Sequence, residues 1–397
     1  MDSFVFHNAT KILFGKGVET QVGTLTALTS KQILLHWGRG SAQRSGLLDR
    51  VKASLTASGV TWIELGGVQP NPRLSLVQEG IRLCREHQLT GILAVGGGSV
   101  IDSAKAIAAG VPYAGDVWDF YLGKATPAAA LPVGCVLTIP AAGSESSGSS
   151  VITKEEGLLK KGLTCDEHLR PVFSLLNPEL TTTLSVKDTA IGAADIMAHL
   201  MERYFTNTPQ VDFSDRLLEA TMRSVIHNLP RVLSAPQDVE ARAELMWTGT
   251  LAHNDLFGMG RVGDWASHDI EHELSALYDI PHGAGLAIVF PAWMKYVYRH
   301  DLNRFAQWAH RVWEVEANFS TPELTALEGI RRLEAFYQRA GLPTRLQDVG
   351  IGPDNFAVMA AKATDLGQKT LGQFVKLDQK AIQDIFEFAQ GTRTSHW

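Results

Sequence analysis

Short apolar runs alternate with helically spaced apolar residues through the first half of the chain. Gln32-Ile33-Leu34-Leu35-His36-Trp37 predicts a buried strand, and Leu47, Leu48, Val51 and Leu55 predict a helix after it. Val60-Thr61-Trp62-Ile63-Glu64-Leu65 predicts a second strand, and Leu74 to His87 a helix. Gly91-Ile92-Leu93-Ala94-Val95 predicts a third strand, and Val100 to Ala109 another helix. Such alternation argues for a parallel sheet with helices on its faces. The period changes near Leu184. Ser185-Val186-Lys187-Asp188 has the pattern of a capping box opening a helix. Beyond it helical spacing dominates and β-branched runs are few. The expected organisation is an α/β N-terminal domain over residues 1–184 and an all-helical C-terminal domain over residues 185–397. The tail, residues 391–397, is expected to be loose.

Size and composition narrow the function classes. A chain of 397 residues is long enough for two domains. Hydrophobic residues make up 45% and charged residues 20%, an ordinary balance for a soluble globular protein. The net charge of −6, with no basic block, argues against a nucleic-acid partner. No run of about 18 apolar residues occurs, so no membrane span is expected. Met1-Asp2-Ser3-Phe4-Val5-Phe6-His7 lacks the basic and apolar regions of a secretory signal. Cys84, Cys135 and Cys165 are too scattered for a disulfide framework or a zinc ribbon, and Cys135 sits in an apolar, strand-like run. A reducing cytoplasm is the expected location.

Two glycine-bearing loops follow predicted strands. Val95-Gly96-Gly97-Gly98-Ser99-Val100-Ile101-Asp102 leads from a strand into a helix whose free first-turn amides suit a pyrophosphate. Ser99 is expected to cap that helix. The loop is neither a GxGxxG fingerprint, because Ile101 takes the place of the third glycine, nor a Walker loop. Its bland reading is a tight strand-to-helix turn. The second loop is Gly38-Arg39-Gly40-Ser41. An acid at the end of an early strand holds the ribose 2′-hydroxyl of NAD, whereas a cation accommodates the 2′-phosphate of NADP. This loop has Arg39 and the Ser41 hydroxyl and no acid, which favours NADP(H).

The metal candidates come from the second half. Asp195 and His199 lie four apart in Ile191-Gly192-Ala193-Ala194-Asp195-Ile196-Met197-Ala198-His199-Leu200-Met201, a stretch otherwise of apolar residues and glycine. Four apart on a helix is one face. Burying a carboxylate and an imidazole there is costly unless something pairs them, and a divalent metal pairs both. His268 and His282 are candidates to complete the site. His268-Asp269-Ile270-Glu271-His272 also matches H-x-x-E-H, an inverzincin peptidase pattern in which Glu271 or a neighbour serves as base. That reading leaves Asp195, His199 and both glycine loops unexplained. His253 is undecided, and the remaining histidines read as surface or satisfied core residues.

Taken together, these motifs resemble the iron-containing, or group III, alcohol dehydrogenases over nearly the whole chain. The resemblance begins at Thr10-Lys11-Ile12-Leu13-Phe14-Gly15-Lys16-Gly17 and continues through Pro70-Asn71-Pro72, the Gly96–Lys105 loop and Thr138-Ile139-Pro140-Ala141-Ala142-Gly143-Ser144-Glu145. It ends with Asp195-x-x-x-His199, His268-x-x-x-His272 and His282-Gly283. The branch of NADPH-dependent aldehyde reductases and butanol dehydrogenases is the most similar, through Gly38-Arg39-Gly40-Ser41 and Asp264-Trp265-Ala266-Ser267-His268.

The resemblance implies a Rossmann-like N-terminal domain beside a helical one. It implies metal ligation by Asp195, His199, His268 and His282, and a histidine close to the nicotinamide at His272. It implies dinucleotide contacts at Asn71, Gly97, Gly98, Ser99, Asp102, Thr138 and Lys161. The expected reaction is hydride transfer between NADP(H) and a short- or medium-chain aldehyde or alcohol, with His272 relaying the proton. Fe(II) is the first expectation for the metal, with Zn(II) and Ni(II) as alternatives, and a homodimer is the expected assembly. A polyol dehydrogenase of the glycerol type and a dehydroquinate-synthase-like lyase are the alternatives within the superfamily. Three positions depart from the family pattern: Ala142 in place of threonine, Ser147 in place of asparagine, and Asn177 in place of aspartate.

Overall fold

Six strands run parallel in one sheet, in the order β1-β8-β5-β4-β2-β3. They are β1 (Lys11–Phe14), β2 (Gln32–Gly38), β3 (Thr61–Val68), β4 (Gly91–Gly96), β5 (Val133–Leu137) and β8 (Phe173–Leu176). The other two, β6 (Ser149–Lys154) and β7 (Leu159–Thr164), pair as an antiparallel hairpin that the hydrophobic pattern did not predict. The computed structural model describes residues 1–391; His396 and the tail expected to be loose lie outside the described residues, except Gly391. No helix among the described residues is long and apolar enough to cross a membrane.

Strand pleating explains why the runs read as uninterrupted apolar stretches. On β2, Ile33 and Leu35 join the core beneath the helix Leu47–Ala57, through Leu47, Val51 and Leu55. Leu34 points the other way, into the core shared by Leu74, Val77, Ile81 and Ile107 of the helices Leu74–Glu86 and Gly98–Gly110. Both faces of the central strands are covered, so their inner positions are apolar or internally paired. Cys84 and Cys135 are fully buried free thiols in the second of these cores.

The chain leaves β2 to form the edge strand β3, then returns to place β4 on the other side of β2. That reversal is a topological switch point, where an open parallel sheet leaves a crevice at the carboxyl ends of its strands. The two glycine loops follow β2 and β4, the strands that flank the switch. The helix Gly98–Gly110 starts two residues earlier than its hydrophobic pattern suggested. Gly97 is the N-cap, in an extended conformation, and Ser99 lies inside the first turn instead of capping it.

The described residues form two compact units. One comprises His7–Leu184 with Gln237–Asn254; the other comprises Met1–Phe6, Ser185–Pro236 and the residues from Asp255 onward. The helix Val239–Ala252 therefore packs with the α/β unit, where Thr250 donates to the buried Glu145 carboxylate at 2.6 Å. The second unit is helical. Its helix Val186–Tyr204 opens at Ser185, whose Oγ accepts from the Asp188 amide at 3.0 Å, as the capping pattern predicted.

His36 shows how the α/β core treats an internal polar group. It is fully buried on β2, donates from Nδ1 to the Leu65 carbonyl at 2.8 Å and accepts at Nε2 from the Ser103 hydroxyl at 2.9 Å. Burial pushes the imidazole pKa down to about 4, against a smaller opposing effect of the Leu65 carbonyl. The folded protein keeps His36 neutral while the unfolded chain takes up a proton below its ordinary pKa of about 6.5. Stability should fall as pH drops from about 6.5 towards 4, by about 3 kcal/mol from this residue, and level off below. In denaturant titrations, the stability gap between wild type and His36→Gln should narrow by that amount from pH 7 to pH 4. Parallel profiles would contradict it.

Candidate metal and nucleotide sites

The expected nucleotide contacts gather at the carboxyl ends of four adjacent parallel strands. Gly38, Arg39, Gly40 and Ser41 follow β2, and Asn71 follows β3. Gly97, Gly98, Ser99 and Asp102 follow β4, and Thr138 follows β5, with its amide donating to the Gly96 carbonyl at 3.0 Å. A register slip between His36 and Gly38 turns the end of β2 just before the arginine. The exposed Arg39 guanidinium donates to the Gln69 side chain. Gly98 is required by packing, because a Cβ there would come within 2.9 Å of the Ala142 methyl. Ala142, one of the departures from the family pattern, thus sits directly against the glycine loop.

Asp102 and its neighbours brace this loop from beneath. Its carboxylate accepts from the Ser144 hydroxyl at 2.5 Å and from the Val151 amide at 3.0 Å. Burial raises its pKa, while Lys105 pulls it back. Lys105 is fully buried and donates to Ser144, Ser147 and Ser149 oxygens at 2.6–2.9 Å. Lys161 is half-buried, opposite Ile152 in the hairpin. Its neighbour Lys160 lies on the other face of the strand, is buried, and contributes to lowering the Asp102 pKa. Only Lys160 is on the buried face, where it acts on Asp102.

In the helical unit, three helices bring the metal candidates together. Asp195 and His199 lie on Val186–Tyr204, His268 on Ala266–Tyr278, and His282 opens His282–Val297. Nε2 of His268 and Nε2 of His282 each lie 3.9 Å from Oδ1 of Asp195. These three residues offer donor atoms within 4.8 Å of one another. His199 places Nδ1 3.3 Å from the same oxygen and its ring 4.7 Å from that of His268, but stands outside the mutually close set. Asp195, His199 and His268 are buried and His282 is partly open.

The donor set fits a divalent cation. Burial, reinforced by His282, pushes the His268 imidazole down to about 3, so it remains neutral and able to ligate. Its Nε2 is buried with no hydrogen-bond partner among the described residues. A carboxylate converging with neutral imidazole nitrogens is the chemistry that zinc, iron and nickel accept. Trp265 closes one side, with its ring edge-on to His199 and His268 and the Arg203 guanidinium 4.7 Å from its centroid.

His272 is half-buried, with its ring 5.6 Å from that of His282. The peptidase pattern fails here. His268 and His272 do not share a mutually close set of donor atoms among the described residues, and Glu271 is fully buried against His282. His253 lies in the other unit, against Gly143. Two residues that the sequence reading did not assign to the site, Glu202 and Glu271, contact the imidazoles directly.

The comparisons with known proteins identify the family. Residues 9–178 match the model of the iron-containing alcohol dehydrogenase family, and residues 189–390 match that family's C-terminal model. The chain belongs to the iron-containing alcohol dehydrogenases. It is 42% identical to the probable NADH-dependent butanol dehydrogenase 1 of Bacillus subtilis, over 98% of this chain and 99% of that protein. It is 34% identical to the NADPH-dependent aldehyde reductase YqhD of Escherichia coli, over 98% and 100%. The crystal structure of NADH-dependent butanol dehydrogenase A from Thermotoga maritima superposes with a TM-score of 0.95 at 39% identity, covering 98% of this chain and 99% of that one. This iron-family protein is an alcohol/aldehyde oxidoreductase, and the family implies a divalent metal and a nicotinamide cofactor.

Within this iron-family dehydrogenase, Asn177 in place of aspartate has a local cause. Its side-chain amide donates to the buried Glu19 carboxylate at 2.8 Å, where an aspartate would oppose a like charge. Gly283 shows how tightly the metal helices pack. A Cβ there would lie 2.1 Å from the Ile191 carbonyl oxygen, which is backbone and cannot yield. Gly283→Ala should cost about 1–3 kcal/mol by forcing the helices apart. Gly352→Ala, with nothing within 4 Å of its Cβ, should stay close to wild type. Thermal melts followed by circular dichroism compare the two, and equal melting points would refute the packing argument.

Proposed function

We propose that the protein is a metal-dependent reductase of short- and medium-chain aldehydes that prefers NADPH and runs in reverse as an alcohol dehydrogenase. The observation that carries this reading is the convergence of the Asp195 carboxylate with Nε2 of His268 and of His282. Asp195, His268 and His282 hold the cation, with His199 as the fourth ligand from the same helix face as Asp195. A bound divalent ion supplies Lewis-acid polarisation of a carbonyl oxygen, and a nicotinamide supplies the hydride. Iron is the first candidate, with zinc and nickel next, since imidazole suits all three.

The chain's own residues do the rest. The strand-end loops of the α/β unit hold the dinucleotide: amides of the Gly98–Gly110 first turn receive the pyrophosphate, and Asn71 and Thr138 flank them. Asp102 fixes the loop through Ser144 and Val151. Lys161 and the buried Lys160 supply positive charge from the hairpin. Trp265 shields the rings of His199 and His268 from water. His272, half-buried beside His282, carries the proton between solvent and the substrate oxygen. A homodimer is the proposed assembly, and the cytoplasm the proposed compartment.

NADPH preference rests on Arg39. The loop after β2 presents a guanidinium and a hydroxyl and no carboxylate, a combination that suits a 2′-phosphate and does nothing to hold a free 2′-hydroxyl.

Chelation should abolish aldehyde-dependent NADPH oxidation, and a divalent metal should restore it. In metal-free protein, metal at a hundredfold excess over Kd should stabilise the fold by about 2.7 kcal/mol. Asp195→Ala and His268→Ala should lose that stabilisation together with activity. Retention of full metal content and turnover by either variant would end the metal-site reading.

The cofactor assignment has a separate check. Wild type should show a much lower KM for NADPH than for NADH. Arg39→Ala should raise the NADPH value about tenfold, the loss of roughly 1.4 kcal/mol, and leave NADH unchanged. Equal KM values in wild type, or a lower one for NADH, would overturn the preference.

A further inference from the structure

Both imidazoles that face Asp195 with Nε2 rest their other ring nitrogen on a buried glutamate. Nδ1 of His268 lies 2.8 Å from Oε1 of Glu202, and Nδ1 of His282 is hydrogen-bonded to Oε2 of Glu271. Neither glutamate has any exposed surface. We propose that Glu202 and Glu271 are positioning carboxylates that lock His268 and His282 in the Nδ1–H tautomer and so deliver both Nε2 lone pairs to the metal. The inference rests on the metal-site reading above and adds the two residues that make the site a preformed one.

The remaining contacts of each carboxylate decide between this role and others. Glu202 also accepts from the backbone amides of His268 at 3.1 Å and Trp265 at 2.6 Å. One side chain of the Asp195 helix thereby fixes the start of the His268 helix, where Trp265 sits in a left-handed conformation with φ 67°. Glu271 accepts at its second oxygen from the Ser275 hydroxyl, one turn further along its helix. Both oxygens of each glutamate are thus engaged by donors of the protein, which leaves neither free to act as a base on substrate.

Space is reserved for the second pair. A Cβ on Gly285 would lie 2.5 Å from Oε1 and 2.7 Å from Cγ of Glu271. The first turn of the His282 helix can lie over the Glu271 side chain only because that position is glycine. Burying an extra carboxylate beside each ligand is expensive unless its donors are in place. What it provides is a ring that cannot flip and a more electron-rich nitrogen for the metal.

Metal affinity tests this directly. Metal-free protein is titrated with Zn(II) against a chromophoric chelator, and with Co(II), whose visible absorption reports the ligand field. Glu271→Leu should weaken Zn(II) binding about 10–100-fold, the range typical for loss of a ligand-orienting partner. Glu271→Gln, which keeps an acceptor for Nδ1–H but not the charge, should fall between Glu271→Leu and wild type. Ser275→Ala and Glu202→Gln should each weaken binding several-fold and shift the Co(II) spectrum. Glu271→Gln and Ser275→Ala carry the test if Glu271→Leu does not fold. Unchanged Zn(II) affinity and an unchanged Co(II) spectrum in the folded variants would overturn the proposal, even with a lowered melting point, since they would reduce the glutamates to packing. Wild type binding neither ion would instead bring down the metal-site reading itself.

Discussion

Asp195 is a buried carboxylate that the helical unit holds within 3.9 Å of three imidazole nitrogens, and much of that unit's local design follows from keeping it there. A charge removed from water must be repaid by specific partners, and a helix of alanine, isoleucine, methionine and glycine provides few. His199 comes from the same helix, but the other two partners come from two other helices, so three helices must approach closely at one point. Gly283 permits that approach at the Ile191 carbonyl, and Gly285 leaves room for Glu271. Glu202 then ties the first helix to the start of the second. Close helix packing and these hydrogen bonds limit the ways the cluster can rearrange, which favours fixed geometry over adaptation.

The α/β unit solves the opposite problem. It has to leave backbone amides unpaired at a defined place without exposing the sheet. Because the sheet is parallel, the loops after β2 and β4 open on the same edge, and the reversal of strand order between them leaves a crevice there. Bracing of the glycine loop comes from beneath, through Asp102, Lys105 and Ser144, and not from the Ser99 hydroxyl that the sequence suggested as a cap. A fully buried lysine with several oxygen acceptors is costly to form and costly to break, and so resists loop movement.

Much of this was legible in the chain because periodicity reports burial. The strands β2, β3 and β4 and the helices after them lie within a few residues of where the apolar pattern put them, since each is covered on the face that the pattern marks. The hairpin β6–β7 was missed because its outer residues are polar or charged, so the two strands carry no uninterrupted apolar run. The acid and histidines of the metal cluster stood out because polar residues in apolar helices are anomalous. Glu202 was not singled out and Glu271 was considered only as the base of the peptidase pattern; only the close packing of helices distant in sequence shows that each is buried against an imidazole. Lys160 and Lys161 could not be told apart by environment from the sequence, since only the fold shows which face of the strand is buried near Asp102.

The same pattern explains why the H-x-x-E-H segment misleads. The motif is defined along one helix, where residues three and four apart share a face. Here the partner of Glu271 is not along its own helix but eleven residues on, past the break at Pro281, where a new helix folds back over it. His268 faces Asp195, and His272 is left beside the rim histidine His282. A glutamate whose oxygens are taken by His282 and Ser275 has no means of activating water. Its burial therefore separates the two chemistries that share this short pattern: one needs the acid exposed to solvent beside the metal, and the other needs it beneath a ligand. Only the second is compatible with a side chain of no accessible surface, roofed by the glycine helix of its own partner.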